Sequence, residues 1–305
     1  DTSFDSNGKR FVEFSASKND HCLAAALQDD DKMVVGGWVA SSGSGYYAAL
    51  ARINTNGTLD TSFSSDGKVI EDLSGNGEYI TAVEIDADGK IVVAGVGNAG
   101  QDFFVARYTA AGALDTSFSS DGIHTFDLGA GSTDLLRAMA IDANGKIVVV
   151  GYNSDDWAVA RLTTSGAMDS DFGGGDGIVT TDFGGNDDQA WDVVIASDGK
   201  ILVGGHTNAS GTDFAVARYT TLGALDTGFS SDGKATADFG SGRTDKAYAM
   251  GLAGNGSVLL VGGSKTGSDE DWAFAQFLSS TGPPGSITMA AFGKFRGDDQ
   301  DTVIA

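Results

Sequence analysis

Five short apolar runs recur along the chain: KMVVGG (32–37), KIVVAG (90–95), KIVVVG (146–151), KILVGG (200–205) and SVLLVG (257–262). Each is nearly continuous and rich in β-branched residues, the pattern of a strand covered on both faces. Each is followed, after a loop of variable length, by a run in which small and large residues alternate: YAALARI (47–53), FFVARYT (103–109), WAVARLT (157–163), FAVARYT (214–220) and WAFAQFL (272–278). Before the apolar run stands a third type, such as YITAVEID (79–86), joined to it by a DG or NG turn at 88–89, 144–145, 198–199 and 255–256; in the first copy DDDK (29–32) takes that place. A DG or NG pair between two strand-like runs predicts a tight antiparallel hairpin. A fourth, shorter run, such as GKVIEDL (67–73), completes the unit, and no helix-length amphipathic segment interrupts the series.

The unit is announced by a motif. LDTSFSSDG occurs at 59–67 and again at 114–122, with variants MDSDFGGGDG (168–177) and LDTGFSSDG (225–233), and the sequence opens on DTSFDSNG. Its phenylalanines, Phe4, Phe63, Phe118, Phe172 and Phe229, are spaced by 59, 55, 54 and 57 on subtraction. A period of this length with four short antiparallel strands per unit predicts an all-β chain, a β-propeller of four-stranded blades. The alternative, a linear β-solenoid, stacks shorter coils of parallel strands and does not use a hairpin within each unit. The repeats run 1–59, 60–114, 115–168, 169–225 and 226–282. A partial sixth, 283–305, keeps ITMAAF (287–292) and DDQDTVIA (298–305), which match IVTTDF (178–183) and DDQAWDVVIA (187–196). The whole chain reads as one propeller domain of five full repeats and that partial sixth. Whether the ring closes with five blades, or belongs to a longer chain, stays open at this stage.

LDxxF, DGKIVVAG and FxVARY in this order resemble the bacterial delta-60 repeat over residues 1–282. The resemblance implies a large exported or surface protein, mostly of Gram-negative bacteria, in an extracellular, cell-surface or periplasmic setting. It brings no catalytic residues with it, and the sixth copy departs from it, reading PPGS after Gly282 where LDxxF is due.

Charge narrows the partners. The net charge is −23, with 42 acidic against 19 basic side chains. Such a chain repels nucleic acid and anionic membrane surfaces and attracts divalent cations. No apolar run is long enough for a membrane span. The one cysteine, Cys22, excludes an intrachain disulfide. It stands where Ile80 and Leu136 stand in later copies, so it is expected to be a small buried apolar residue, not a Cys–His nucleophile with His21. Trp157 and Trp272 alternate with Phe103 and Phe214 at one position and are expected in the core.

Two polar positions recur. Arg52, Arg107, Arg161 and Arg218 share one place in the alternating run, with Gln276 in the fifth copy. A guanidinium between apolar neighbours must be paired, and the motif aspartates Asp60, Asp115, Asp169 and Asp226, each eight residues later, are the natural partners. This predicts a clamp in which the motif turns the corner from one blade to the next; an anion site in each blade is the competing reading. The second position is acidic: Asp20, Glu78, Asp134, Asp188, Asp245 and Asp299. On an innermost strand these carboxylates would gather at one mouth of a central channel and suit Ca²⁺, the one cofactor expected. The competing reading is that each caps its own turn.

Binding surfaces on repeat folds come from positions that break the repeat. After Gly37, Gly95, Gly151, Gly205 and Gly262 the next residue varies, and with the following loop it gives Trp38, Tyr46, Tyr47, Tyr152 and His206 as a candidate patch for a protein or glycan. Packing over the neighbouring blade is the competing reading for Trp38 and Tyr152. The sequence therefore points first to a non-enzymatic extracellular or cell-surface scaffold for adhesion or assembly. A lectin, or a polysaccharide hydrolase or lyase using the channel-mouth carboxylates, is the alternative.

Overall fold

The computed structural model describes residues 2–15, 19–41, 45–73, 77–97, 102–128, 134–185, 187–209, 211–240, 242–278 and the strand 289–295. Twenty strands and no helix are found among them. They are β1 (Asp20–Leu27), β2 (Met33–Ala40), β3 (Tyr46–Ile53), β4 (Lys68–Glu71), β5 (Tyr79–Ile85), β6 (Ile91–Gly97), β7 (Asp102–Tyr108), β8 (Ile123–Phe126), β9 (Leu135–Ile141) and β10 (Ile147–Tyr152). There follow β11 (Trp157–Leu162), β12 (Ile178–Thr181), β13 (Gln189–Ile195), β14 (Ile201–Thr207), β15 (Asp213–Tyr219), β16 (Lys234–Ala237), β17 (Thr244–Leu252), β18 (Val258–Thr266), β19 (Asp269–Phe277) and β20 (Met289–Phe295). They form five four-stranded sheets, each running in chain order: β1 to β4, β5 to β8, β9 to β12, β13 to β16 and β17 to β20.

The chain divides into two compact units, Asp1–Ile147 with Leu162–Met168, and Val148–Arg161 with Asp169–Ala305. The first holds the first two sheets whole and the second holds the last two; the division falls in the third sheet. The core of the first unit is built from Val34, Leu50, Ile80, Val83, Val93, Phe104 and their neighbours. That of the second contains Leu202, Phe214, Val216, Val258, Leu260 and Phe277.

The sheets are offset from the sequence repeat. In the first, second and fourth sheets the fourth strand comes from beyond the next LDxxF motif, so the motif connects the third and fourth strands of one sheet, as in β3 to β4 across Asp60–Gly67. The predicted blade-to-blade corner is corrected accordingly. The covalent crossovers between sheets are the short segments after the fourth strands, such as 72–78. The motif still binds neighbouring sheets, but by packing. Ser64 N–H donates to Ala111 O at 2.9 Å, and the Phe63 ring lies where a Cβ on Gly112 would approach to 2.8 Å. The same ring-on-glycine contact joins Phe118 to Gly166 and Phe172 to Gly223. Residues 64 and 65 sit in the left-handed region, at φ 47° and 66°, and in the fourth repeat Gly173 and Gly174 occupy these places at 67° and 88°. The sequence difference thus follows a backbone requirement.

The recurrent arginines are clamped as the spacing predicts. Nε donates to the motif carboxylate at 2.9 Å in Arg52–Asp60, 2.8 Å in Arg107–Asp115, 2.6 Å in Arg161–Asp169 and 2.8 Å in Arg218–Asp226. Each guanidinium also lies over the motif phenylalanine, 4.6 to 4.9 Å from the ring centre. A further donor reaches a carbonyl of the following repeat, from Arg107 Nη1 to Thr164 O at 2.7 Å and from Arg161 to Thr221 O. The turn lysine adds a cation that spacing alone did not disclose: Lys32 to Asp60 at 3.2 Å, Lys90 to Asp115 at 2.7 Å, Lys200 to Asp226 at 3.0 Å. Burial by itself would raise the Asp115 carboxyl, but Lys90, Ser117 and Arg107 together hold it well below the usual carboxylate range. With each guanidinium held by its aspartate and its phenylalanine inside the fold, the arginines act as structural clamps.

Candidate functional site

The first strand of each whole sheet carries a bulge, between Cys22 and Ala24, Ile80 and Ala82, Ala190 and Asp192, and Ala247 and Ala249. The bulge drives a backbone carbonyl onto the adjacent strand. A Cβ on Gly37, Gly95, Gly205 or Gly262 would stand 1.9 to 2.1 Å from the carbonyl oxygen of His21, Tyr79, Gln189 or Lys246. That close approach is why the apolar run ends on glycine in every copy of these sheets. Immediately beyond it, the register places Trp38 opposite His21. The two rings stack at 4.3 Å and 15°, and Tyr46 packs on the other side of Trp38 at 4.3 Å and 53°. His21 and Tyr46 are exposed and Trp38 is half-buried. A cleft of about 310 Å³ lies beside His21, lined among others by Phe4, Arg10, Phe14, Asp20 and Cys22.

The predicted aromatic patch is therefore assembled in part. Trp38 and Tyr46 share one face, and they recruit His21, which the loop pattern did not single out. Tyr47 is half-buried and pairs with Val39, one residue out of phase with that face. Tyr152, in the second unit, is half-buried. His206 is fully buried against Trp191 and is corrected from surface to interior. It lies on the face of its strand that carries Gly204, and that face packs on Leu260 and Met250 of the next sheet. Two further expectations fail at the chain's outer sheets. Cys22 is exposed, although its counterparts Ile80 and Leu136 are fully buried. Ile80 packs back onto Gly36 of the preceding sheet, and the first sheet has no predecessor among the described residues of its unit. Trp272 is 79% exposed while Phe103, Trp157 and Phe214 at the same position are fully buried. Among the described residues, no further sheet covers that face of the last one.

The acidic position is a turn cap. Oδ2 accepts a backbone N–H from the preceding segment: Phe14 to Asp20 at 2.8 Å, Leu128 to Asp134 at 2.8 Å, Phe183 to Asp188 at 2.7 Å and Phe239 to Asp245 at 2.9 Å. Glu78, Asp134, Asp188 and Asp245 are fully buried; Asp299 lies outside the described residues. In the second unit two of these caps meet other carboxylates. Asp156, Asp182 and Asp188 offer oxygens within 4.8 Å of one another, and so do Asp213, Asp238 and Asp245. The ladder explains the meeting. Phe214 pairs with Ala237 and Trp157 with Thr181, so the next residues, Asp213 with Asp238 and Asp156 with Asp182, emerge side by side. The crossover then delivers the third, whose own N–H binds the chain beside the first: Asp245 to Thr212 O at 2.7 Å, Asp188 to Asp155 O at 3.0 Å. Burial and the neighbouring carboxylates push the acids of Asp156 and Asp213 upward. Each cluster thus contains one expected residue and two that the sequence pattern did not name.

Four segments, 28–63, 87–118, 143–172 and 196–229, match the model of a family described as a domain of unknown function (DUF5122) beta-propeller. The chain is a repeat-type β-propeller. Among solved structures, a protein from Lactobacillus plantarum aligns with this propeller over 89% of this chain and 70% of its own, at TM-score 0.57 and 16% identity. A family PL25 polysaccharide lyase, an ulvan lyase bound to -[GlcA(1-4)Rha3S]-, aligns over 87% and 69%, at TM-score 0.50 and 11% identity. At such identities the likeness is one of fold. No curated protein matches the propeller's sequence. Among the described residues, no helix is long and apolar enough to cross a membrane.

Proposed function

We propose that this propeller is a non-enzymatic binding module, working outside the cell or at its surface in adhesion or assembly, and that the His21–Trp38–Tyr46 face takes a glycan. The observation that carries this reading is the continuous row of three rings, exposed at both ends, at a position where the other repeats place Val96, a half-buried Tyr152, a buried His206 and Gly263. Flat rings with polar edges, next to a cleft bearing Arg10 and Asp20, offer apolar stacking and hydrogen bonds together. The recurrent guanidiniums, by contrast, are held in the clamps. With a net charge of −23, the propeller would repel a polyanionic sugar such as the one bound by the ulvan lyase, so the ligand is a neutral glycan.

A glycan array with the soluble chain tests this. Trp38→Ala and Tyr46→Ala are expected to abolish the signal at an unchanged melting temperature. If both variants lose stability in step with binding, the rings are packing residues and the site is withdrawn. Turnover of a bound glycan would make the module an enzyme.

A further inference from the structure

We propose that Asp213, Asp238 and Asp245 form a calcium site.

Turn capping accounts for part of this cluster. Asp245 Oδ2 is held by Phe239 N–H and Asp238 Oδ1 by Gly240 N–H at 2.7 Å. Asp245 Oδ1 is left over, whereas the equivalent Asp188 Oδ1 accepts Asn208 N–H at 3.1 Å, so the Asp156 cluster is satisfied as a cap. Asp245 Oδ1 belongs to a fully buried carboxylate and has no hydrogen-bond partner. Buried polar atoms without a partner are rare in native proteins and call for an ion or a water. The same carboxylate has two others beside it, Asp213 and Asp238, the three offering oxygens within 4.8 Å of one another, and a water cannot offset their mutual repulsion.

No lysine or arginine among the described residues forms an ion pair with any of the six aspartates. At the equivalent place in the next repeat the protein supplies its own cation: Asp271, the counterpart of Asp213, is bound by Arg243 at 3.0 Å. The Asp213 cluster therefore keeps the anionic half of an ion pair and lacks the cationic half. The arrangement of the two clusters in successive repeats follows from the same ladder and the same crossover, so it is a built feature rather than a chance approach of surface acids.

The chemistry selects the ion. All three donors are hard oxygens with full charge, the set preferred by calcium over thiophilic or imidazole-seeking metals. Oxygens up to 4.8 Å apart fit a shell of radius about 2.4 Å, with water filling the remaining positions. Bound there, the ion joins the end of one sheet's outer strand to the crossover entering the next. This proposal stands independently of what the aromatic face binds.

Calorimetric titration of the full chain with Ca²⁺, after removal of metal with a chelator, provides the test. Binding is expected in the range of about 10⁻⁴–10⁻³ M typical of extracellular calcium modules. The variant Asp213→Asn/Asp238→Asn is expected to bind one ion fewer than the parent, whereas Asp156→Asn/Asp182→Asn is expected to keep the parent's stoichiometry. Asparagine keeps the size and the turn-capping oxygen, and none of these four positions is fully buried, so the metal-free melts should resemble the parent's. If a variant nevertheless fails to fold, the parent alone decides: millimolar CaCl₂ must raise its melting temperature above that in NaCl of equal ionic strength, and above that in MgCl₂. Equal melts in all three salts, or full stoichiometry retained in the folded Asp213→Asn/Asp238→Asn variant, would overturn the proposal.

Discussion

Replacing Arg107 by alanine probes the clamp at a place where its partners are all visible. The guanidinium is 10% exposed, as is the Asp115 carboxylate. It donates to Asp115 at 2.8 Å, Thr164 O at 2.7 Å and Ser117 Oγ at 3.3 Å, and lies 4.8 Å over the Phe118 ring. Removing one member of a buried pair costs about 3–5 kcal/mol. Here Lys90 remains on Asp115 at 2.7 Å, which spares part of the carboxylate's loss. The abandoned Thr164 carbonyl adds about 1–3 kcal/mol and the lost cation–ring contact about 0.5–1 kcal/mol. Because Asp115 is not left uncompensated, most of the pair-breaking cost is not incurred, and the carbonyl and ring losses set a total of about 3 kcal/mol. Urea unfolding followed by tryptophan fluorescence reads it as a drop of roughly 1 M in midpoint if the slope is about 3 kcal/mol/M. The pH dependence has a definite sign. The Asp115 carboxyl is depressed in the folded state, so its contribution is complete above the ordinary carboxylate pKa of about 4 and is lost as pH falls below it. The gap between parent and variant should therefore be widest near neutrality and narrow in acid. A midpoint unchanged at pH 7, or a gap that widens in acid, would refute the clamp.

Two further substitutions separate contact from conformation. Gly112→Ala should cost more than Gly89→Ala in the same unfolding assay: both have positive φ, 86° and 74°, but only the Gly112 Cβ would strike the Phe63 ring, at 2.8 Å, whereas nothing lies within 4 Å of the other. Equal costs would mean that the ring contact is easily relaxed. Trp157→Ala should lose about 3–5 kcal/mol as a buried aromatic, while Trp272→Ala, 79% exposed, should stay within about 0.5 kcal/mol. Comparable losses at the two positions would show that the last sheet's face is covered in solution.

The sequence by itself determined what repeats. Strand type, hairpin turns and the eight-residue Arg–Asp spacing are local properties, and several copies vote on each, so the antiparallel sheets and the clamps were legible in advance. The glycine after each apolar run was visible as a recurrence, but its reason was not, because the carbonyl that crowds it comes from a bulge on the neighbouring strand. Only the tertiary structure could show that the motif closes a sheet instead of joining two, since that depends on which strand the following run pairs with. Burial was misjudged where the repeat ends. Cys22 and Trp272 occupy positions that are core in the interior copies, yet exposure is decided by whether another sheet lies over them. The carboxylate clusters escaped for a related reason. Asp156, Asp182 and Asp188 are 26 and 6 residues apart on subtraction, and no spacing rule links them. A ladder pairing brings the first two together and a crossover returns the third, so the charge density at these points is a property of the folded chain alone.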